Sequence, residues 1–423
     1  MSNFKVITVL GANGTMGRNV SAIFASFGKA KVYMVCRNLD KANKAVVDAY
    51  DSVRCESIKD NLIPCTYDDL SKCIPESDIV FESVKEDFNT KKEVYGLIRQ
   101  YLKKDAIVCT GTSGLSIKEL SKEFSNNRFY GVHMFNPPYN LSLCELIGED
   151  NKELEDYLSI NLRRTVVKTK DSPSFLANRI GFFVINKALK LAEENKDQGG
   201  VDYIDSIFGG FTGRSMSPLK TADFVGLDVH KSIVDYIDLN THDEFNDCFK
   251  LPSYVDELIN CGYLGKKTNR GLYYKDTDRN IKLVYDIRTK EYRLKNNYNF
   301  YFANEMIKLI RIGKYEDAYK LLLNDDSKEA LICKKLLLEY IVYSLKISKE
   351  VTGNISACDD AMATGFAWLP PVAFIELLGG TNSLTESVNK YLDKVYIDIL
   401  NVLIDEIPAK SKYDYRPYLK GRY

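Results

Sequence analysis

An α/β N-terminal domain followed by two related all-α domains is the fold class that the sequence predicts. Short β-branched runs alternate with helical stretches through the first two fifths of the chain. A glycine-rich loop, Gly11–Gly17, joins the first run to the first helix. After residue 171 the pattern becomes helical, and it recurs weakly near the end of the chain. A strand, a glycine loop and a helix in this order open a doubly wound, Rossmann-type sheet.

The elements of the N-terminal domain follow from apolar runs and from the turn residues that bound them. A strand is predicted over residues 5–10, and a helix over residues 19–27 that ends at Gly28. Further strands are predicted over residues 31–36, 78–81, 106–109, 129–132 and 165–168. Apolar runs of this length are typical of parallel strands that are buried on both faces.

The helical part of the chain contains a weak internal similarity. Residues 175–194 predict one long helix that is apolar on most sides, and residues 336–351 resemble it. Residues 360–371 resemble residues 205–218 in the same way. We interpret this as a diverged tandem duplication, with chance similarity between helical segments as the alternative.

These patterns predict four segments. Residues 281–294 alternate as a β-hairpin, with a turn at residues 288–290. The segments are a dinucleotide-binding Rossmann domain over 1–170, a first helical domain over 171–280, a connecting hairpin and helices over 281–325, and a degenerate second helical copy over 326–423.

Composition and charge argue against several classes of partner. The 58 basic and 58 acidic side chains cancel, so no strong field favours nucleic acid or an anionic membrane. The ten cysteines include no CxxC pair, which fits reduced thiols better than disulfides or a zinc site. No apolar stretch reaches membrane-spanning length. We therefore expect a cytoplasmic protein without a metal, a nucleic acid partner or a membrane partner.

The glycine loop is suited to bind a dinucleotide. Its three glycines would let a pyrophosphate approach backbone N–H groups at the start of a helix. The spacing is GxxGxxG, with Asn13 inserted relative to GxGxxG. Arg37 follows the second strand, where a carboxylate would otherwise hold the ribose hydroxyls. Because a guanidinium binds a 2′-phosphate well, the residues slightly favour NADP over NAD, and a solvated strand-end arginine is the alternative.

A histidine and a carboxylate mark a second candidate site. His133 opens the segment His-Met-Phe-Asn-Pro-Pro and is one of only three histidines. Glu145 follows twelve residues later, at a spacing that suits a histidine–carboxylate pair. A general base behind a dinucleotide loop indicates hydride transfer between an alcohol and a carbonyl. A structural histidine and a surface glutamate are the alternative.

Together these motifs resemble those of the L-3-hydroxyacyl-CoA dehydrogenase family, 3-hydroxybutyryl-CoA dehydrogenases included, across residues 4–275. The tail looks like a second copy of the family's C-terminal domain. The matching segments are Gly11–Gly17, Phe81–Glu86 with Lys91 and Lys92, Gly111–Ser113, His133–Pro137 with Glu145, Asp171–Arg179, and Gly265–Thr268. In this order and spacing the segments are highly specific.

The resemblance implies a reaction and a set of catalytic residues. His133 would take the proton from the 3-hydroxyl of an acyl-CoA substrate, and Glu145 would orient its imidazole. Ser113 and Asn178 would hydrogen-bond the substrate around C3 and the thioester. The reaction would interconvert L-3-hydroxyacyl-CoA and 3-oxoacyl-CoA in fatty acid metabolism, with hydride transfer to or from the nicotinamide.

The resemblance also implies cofactor contacts. They involve Glu86, Lys91 and Asn136, in addition to Arg37 and the loop residues Gly11, Asn13, Gly14, Thr15, Met16 and Gly17. The chain departs from the family in the longer glycine loop, in the missing acidic residue after the second strand and in Gly111, where an asparagine is usual. The family favours NAD and Arg37 favours NADP, so the cofactor stays open.

The second helical copy is expected to be structural. Lys334 falls near the place of Asn178, and no histidine follows it. The copy would then replace the partner subunit's domain of shorter, dimeric relatives, which predicts a monomer. Two other functions stay open: a catalytically silent scaffold that binds acyl-CoA or nucleotide, and a dehydrogenase of a small β-hydroxy acid. The intact catalytic set argues against the first, and the HxxNPP segment with Gly265–Thr268 argues against the second.

Overall fold

The computed structural model describes residues 4–124, 128–276 and 280–421. Its contacts divide the chain into two compact units, Met1–Phe175 and Leu176–Tyr423. The first unit is an α/β domain and the second is largely helical, as the sequence predicts. Within the described ranges, no helix combines the length and the apolar character needed to cross a membrane.

The first unit is built on one sheet of eight strands. Their order is β3-β2-β1-β4-β5-β6-β7-β8, and every neighbouring pair is parallel except β6 with β7. The strands are β1 (Val6–Leu10), β2 (Lys31–Cys36), β3 (Leu62–Thr66), β4 (Ile79–Glu82), β5 (Ile107–Thr110), β6 (Phe129–Met134), β7 (Leu143–Ile147) and β8 (Thr165–Thr169). The strand order reverses between β1 and β4, which is where doubly wound sheets bind their ligands.

Helices connect these strands. They are α1 (Thr15–Ser26), α2 (Leu39–Ser52), α3 (Leu70–Glu76), α4 (Phe88–Ile98), α5 (Ile117–Ser121) and α6 (Lys152–Asp156). Ile7 and Val9 of β1 pack into one apolar cluster, and Leu10 packs into another. The central strands are therefore buried on both faces, which explains their nearly continuous apolar sequences.

The six strands predicted for this unit are confirmed, and two more were missed. β3 contains Pro64, which argues against a strand, but β3 lies at the edge of the sheet, where a proline is tolerated. β7 carries Glu145 at its centre, and this charge interrupts the apolar run. Helix α1 begins at Thr15, four residues earlier than predicted. This early start was missed because the first turn contains Gly17, and glycine is a poor helix former.

The second unit consists mainly of helices. They are α7 (Ala177–Glu194), α8 (Val201–Ile207), α9 (Pro218–Val225), α10 (Leu227–Asn240), α11 (Ser253–Asn260), α12 (Tyr301–Arg311), α13 (Tyr315–Asn324), α14 (Lys328–Thr352), α15 (Ala357–Ala361), α16 (Pro371–Leu377), α17 (Thr381–Tyr391), α18 (Lys394–Leu403) and α19 (Arg416–Leu419). The finer division of this unit into two copies and a connection stays a prediction.

The two long helices α7 and α14 pack against each other. The rings of Phe183 and Tyr343 are stacked, with centroids 3.8 Å apart. Both helices were predicted, and both are buried along most of their length. Helix α14 starts eight residues earlier than predicted, at Lys328, where the hydroxyl of Ser327 accepts the N–H of Ala330. Polar residues at its start concealed this first part of the helix.

A small antiparallel sheet makes the second unit less purely helical than predicted. The predicted hairpin is confirmed as β10 (Ile281–Asp286) and β11 (Glu291–Leu294). Asp286 stabilises the turn by accepting the N–H of Arg288 at 3.0 Å. The third strand, β9 (Tyr273–Asp276), was missed and lies inside the segment predicted as the first all-α domain.

Candidate active site

His133 and Glu145 lie directly opposite each other on the antiparallel strands β6 and β7. Nδ1 of His133 is 2.7 Å from Oε2 of Glu145. Glu145 is fully buried and His133 is 6% exposed. Because the strand register pairs the two residues, the backbone itself sets the contact between their side chains. A carboxylate that accepts the Nδ1–H leaves Nε2 as the atom that can take a proton.

Two aromatic rings enclose the imidazole of His133. The ring of Phe135 lies 4.5 Å from it and the ring of Phe175 lies 5.8 Å from it, both measured between centroids. Both phenylalanines are buried. The imidazole is thus held by a carboxylate on one ring nitrogen and by apolar walls on its faces.

The turn after β6 is connected to helix α1. The amide Nδ2 of Asn19 donates to Oδ1 of Asn136 at 3.1 Å. Asn19 is buried on α1, the helix that follows the glycine loop. The peptide bond between Asn136 and Pro137 is cis. Asn136, one of the predicted cofactor residues, is therefore linked to the helix that begins beside the nucleotide loop.

The glycine loop leaves no room for side chains at two of its positions. Gly11 has φ +75°, and a Cβ there would lie 2.5 Å from the carbonyl oxygen of Ser83. A Cβ on Gly17 would lie 2.4 Å from the carbonyl oxygen of Gly11. At Gly14 the nearest atom would be 3.4 Å away, which is ordinary contact. The loop fits the backbone approach that a dinucleotide pyrophosphate requires.

The remaining loop residues lie where the sequence places them. Asn13 lines the cavity beside the loop, whereas Thr15 and Met16 form the first turn of α1. Met16 packs against the apolar core of the first unit. Their contacts with a cofactor stay a prediction.

A cavity of about 490 Å³ opens beside the glycine loop. Its lining includes three cationic side chains, Arg37, Lys41 and Lys85, and one carboxylate, Glu93. Arg37 directly follows β2, as predicted. Lys41 was missed, although a signal existed: Asn38 caps α2 by accepting the N–H of Lys41 at 2.9 Å. The cap places Lys41 in the first turn of α2.

A buried ion pair lies at the carboxyl end of β4. Nζ of Lys91 is 2.8 Å from Oε1 of Glu82, and Lys91 is only 1% exposed. Glu82 also accepts the hydroxyls of Tyr95 at 2.7 Å and of Thr110 at 2.8 Å. Glu82 was not predicted as a site residue because it ends an apolar strand. Its hydrogen bonds join three elements beside the switch point of the sheet.

Glu86 connects this ion pair to the turn that carries Ser113. Oε2 of Glu86 is 3.2 Å from Nζ of Lys91, and Oε1 accepts the N–H of Ser113 at 2.7 Å. Oε1 also accepts the hydroxyl of Thr112 at 2.5 Å. The structure thus brings three predicted site residues, Glu86, Lys91 and Ser113, into one hydrogen-bonded group.

Asn178 belongs to the second unit. It lies in the first turn of α7 and is 7% exposed. The sequence placed it on the long helix, and this placement is confirmed. Its role toward a substrate stays a prediction, as do the roles of the other predicted site residues.

All ten cysteines are free thiols, and seven of them are buried in the fold. Within residues 4–124, 128–276 and 280–421, no three His, Cys, Asp or Glu side chains are placed to hold a metal ion.

Known proteins show the same domains in the same order. Residues 6–159 match the family described as 3-hydroxyacyl-CoA dehydrogenase, NAD binding domain. Residues 175–275 match the family described as 3-hydroxyacyl-CoA dehydrogenase, C-terminal domain. The two matches follow the division of the chain into an α/β unit and a helical unit.

Individual relatives carry related names. A 3-hydroxybutyryl-CoA dehydrogenase of Bradyrhizobium diazoefficiens is 33% identical over 49% of this chain and 69% of its own. A Bacillus subtilis relative named "Probable 3-hydroxyacyl-CoA dehydrogenase" is 28% identical over 75% of this chain and 41% of its own. The chain spans about half the length of the first curated relatives it matches, between 41% and 52%.

A solved structure shows the same fold along almost the whole chain. The crystal structure of 3-hydroxybutyryl-CoA dehydrogenase from Escherichia coli K12 has a TM-score of 0.72 with 19% identity. The likeness covers 96% of this chain and 99% of that one, so it includes the region after residue 275.

Proposed function

The chain belongs to the 3-hydroxyacyl-CoA dehydrogenase family, and we propose that it interconverts L-3-hydroxyacyl-CoA and 3-oxoacyl-CoA by hydride transfer with NAD(P). The observation that carries this proposal is the contact of 2.7 Å between His133 and Glu145. The glycine loop and the match of residues 6–159 to the family's NAD binding domain support the cofactor class.

His133 acts as the general base in this proposal. Its Nε2 takes the proton of the 3-hydroxyl, while Glu145 holds Nδ1 and stabilises the imidazolium that forms. A nicotinamide held at the glycine loop would supply the hydride acceptor for C3 of the substrate. In the reverse direction, protonated His133 returns the proton to the developing alkoxide.

Ser113 and Asn178 bind the substrate in this proposal. Hydrogen-bond donors near the C3 oxygen stabilise the charge that develops there. The N–H of Ser113 is bonded to Glu86 at 2.7 Å, which fixes the turn that carries its hydroxyl. Asn178 is held in the first turn of a buried helix. Both side chains are thus carried by ordered backbone, as such donors require.

We propose that the cofactor preference is for NADP(H). The support is local, because Arg37 and Lys41 line the cavity beside the glycine loop where an acidic residue is usual. A guanidinium and an ammonium suit a 2′-phosphate. The family description names NAD, so this preference is specific to the residues of this chain.

We further propose that the second helical domain repeats the first. Asp205 accepts the N–H of Leu219 at 2.9 Å, at the start of α9. Asp359 accepts the N–H of Val372 at 2.7 Å, at the start of α16. Both aspartates are buried, and a proline opens each of the two helices. The similarity of residues 360–371 to residues 205–218 pairs Asp360 with Asp205, whereas these hydrogen bonds favour Asp359 as the residue equivalent to Asp205.

A second pair of acids repeats in the same register. Asp223 and Glu376 each lie five residues after the proline that opens their helix. Asp223 accepts the N–H of Tyr273 at 2.7 Å, and Glu376 accepts the N–H of Ser411. In each repeat that same later residue donates its hydroxyl to the first acid of the repeat. These three matched pairs of hydrogen bonds favour a repeat over chance similarity between helices.

Lys334 has a structural role in this second repeat. Its ammonium donates to the carbonyl oxygens of Leu323 at 3.1 Å and Asp325 at 2.7 Å, at the end of α13. It also lies 4.3 Å from the ring centroid of Tyr391. A lysine at the C-terminus of a helix is favourable, so Lys334 serves the fold where the first repeat carries Asn178.

A substrate comparison tests the proposed activity. We expect acetoacetyl-CoA to be reduced, with acetoacetate turned over at least about 100-fold more slowly, because the binding energy of the CoA portion would be lost. Equal rates would favour a dehydrogenase of a small β-hydroxy acid. Binding of both acyl-CoA and dinucleotide without turnover would favour a silent scaffold. The cytoplasmic location and the monomeric state stay predictions.

A further inference from the structure

The helix that carries Asn178 begins without a hydrogen bond from the side chain of its N-cap residue. Two consecutive residues before it, Ser174 and Phe175, have φ of +57° and +56°, which is uncommon for side chains of this size. Leu176 occupies the N-cap position and has no side-chain oxygen to accept an N–H of the first turn. Acidic residues are absent from that turn. Tertiary contacts of the first turn therefore contribute to its position.

Arg179 provides such contacts. It is 3% exposed, and its Nη2 lies 2.8 Å from Oδ2 of Asp243. Its Nη1 lies 3.1 Å from Oε1 of Glu350 on α14. Lys346, also on α14, lies 3.2 Å from Glu350 and 3.7 Å from Asp243. Two cations thus share two carboxylates, Glu350 on α14 and Asp243 in the segment after α10.

The chemistry of this network is unusual for the start of a helix. A cation in the first turn is disfavoured by the partial positive charge of the helix N-terminus. A buried guanidinium also needs paired charges. Arg179 is therefore placed by its acids and not by the helix, and the separate contacts of its two terminal nitrogens with Asp243 and Glu350 fix its direction.

We infer that Glu350 is a positioning residue that acts through Arg179 on Asn178. Asn178 and Arg179 are consecutive, so about 100° of rotation around the helix axis separates their side chains. Fixing the guanidinium therefore fixes the rotation of the first turn and the direction of the Asn178 amide. The second helical repeat then completes the site, in addition to stabilising the fold. This inference rests on the proposed function in one respect, the binding of the substrate by Asn178.

The test compares two glutamates that pair with neighbouring cations. Glu350→Gln removes the contact to Arg179, and Glu350 is 45% exposed, so the variant should fold. Glu406→Gln is the matched control, because Glu406 is also 45% exposed and pairs with Lys349 of α14 at 2.6 Å. Both variants are made in the wild-type chain and in the Asn178→Ala chain. Acetoacetyl-CoA reduction and thermal unfolding are measured for each.

We expect Glu350→Gln to lower kcat about tenfold, less than the ~100-fold of a 1 Å misplacement, because Asp243 still holds Arg179. The KM for the cofactor should be unchanged, and the melting temperature should match that of Glu406→Gln. In the Asn178→Ala chain the same substitution should have no further effect. Equal kcat losses in both chains, or equal kcat for the two glutamine variants, would overturn the inference.

A second readout is independent of turnover. The side-chain amide resonance of Asn178, assigned by its absence in Asn178→Ala, should shift in Glu350→Gln and stay in place in Glu406→Gln. An inactive wild-type protein would refute the proposed function, while this resonance would still decide the inference. An unshifted resonance in Glu350→Gln would refute the positioning role.

Discussion

Lys91 and Glu82 form an ion pair in which neither side chain reaches solvent, with Nζ and Oε1 2.8 Å apart. The pair lies beside the switch point of the sheet and joins β4 to α4. Glu82 gains two hydroxyl donors, and Lys91 gains a second carboxylate, Glu86. Buried charges are tolerated when they are satisfied in this way. The pair therefore fixes β4 against α4 at the carboxyl end of the sheet.

Replacing Lys91 should strongly destabilise the protein. Lys91→Met leaves Glu82 buried and unpaired, which typically costs about 3–5 kcal/mol. The matched control is Lys92→Met, because Lys92 is 42% exposed and pairs with Glu123 at the surface. That control should lose at most about 1 kcal/mol. Denaturant unfolding of both variants checks the prediction, which is wrong if the two midpoints agree.

Arg37→Asp should reverse the cofactor preference. The variant removes a guanidinium that would bind the 2′-phosphate and supplies a carboxylate for the ribose hydroxyls. Hydrogen bonds to charged groups contribute about 1.5–3 kcal/mol, so the kcat/KM ratio of NADPH to NADH should fall at least about tenfold. Cys36 is an unsuitable position for that acid because it is fully buried.

The control for the cofactor prediction is Lys44→Gln on α2, the helix that also carries Lys41. Lys44 is 74% exposed and pairs with Asp48, so its loss should leave the ratio unchanged. Lys41→Gln should weaken NADPH binding in the same direction as the change at Arg37. A wild-type enzyme that prefers NADH by a wide margin would show that Arg37 is a solvated strand-end residue.

Two buried aspartates of the second unit, Asp223 and Asp359, predict a specific pH dependence of stability. Burial raises the pKa of Asp223 to about 7 and that of Asp359 to about 6. In the unfolded chain an aspartate titrates near about 3.9. The folded state therefore binds the proton more tightly, and this contribution to stability is lost as the pH rises from the unfolded pKa through the folded one.

Asparagine variants isolate these two contributions. The free energy of unfolding of wild type minus that of Asp223→Asn should fall between pH 4 and about 7, by at most about 1.4 kcal/mol per pH unit. The corresponding difference for Asp359→Asn should level off near pH 6, about one unit earlier. Urea unfolding across this range measures both differences. If neither difference changed with pH, the pKa of neither aspartate would be raised in the folded state.

Light scattering tests the structural role of the second helical repeat. If this repeat replaces the domain of a partner subunit, the protein should scatter as a single chain of 48.2 kDa. Helices α7 and α14 already cover each other through the stacked rings of Phe183 and Tyr343. A tight dimer at micromolar concentration would contradict this role.

The sequence predicts elements well where the signal is local. The six predicted strands of the first unit and the hairpin of the second are present, because apolar runs and turn residues determine them. The pairing of His133 with Glu145 was also predictable, since only residues 135–142 separate their strands. β3 was missed because Pro64 is acceptable only at a sheet edge, and position in the sheet is not a local property.

The missed site residues depend on contacts that are distant in sequence. In the sequence, Glu82 is only the last residue of an apolar strand. Its partner Thr110, which donates a hydrogen bond to it, lies 28 residues later. Arg179 reads as an ordinary helix residue, and its partner Glu350 lies 171 residues away. The spacing of residues along a single sequence does not indicate pairs that are so far apart. Their identification required the packed structure.

The most direct test of the proposed mechanism is kcat for acetoacetyl-CoA reduction by His133→Gln at saturating cofactor. Glutamine removes the proton-accepting nitrogen, and loss of a general base typically lowers the rate about 10²–10⁴-fold. Cofactor affinity should stay near the wild-type value, and Glu145→Gln should lose less, mainly in kcat. The kcat of His133→Gln should fall by a factor within this range, and a variant that retains the wild-type kcat would contradict the role of His133 as general base.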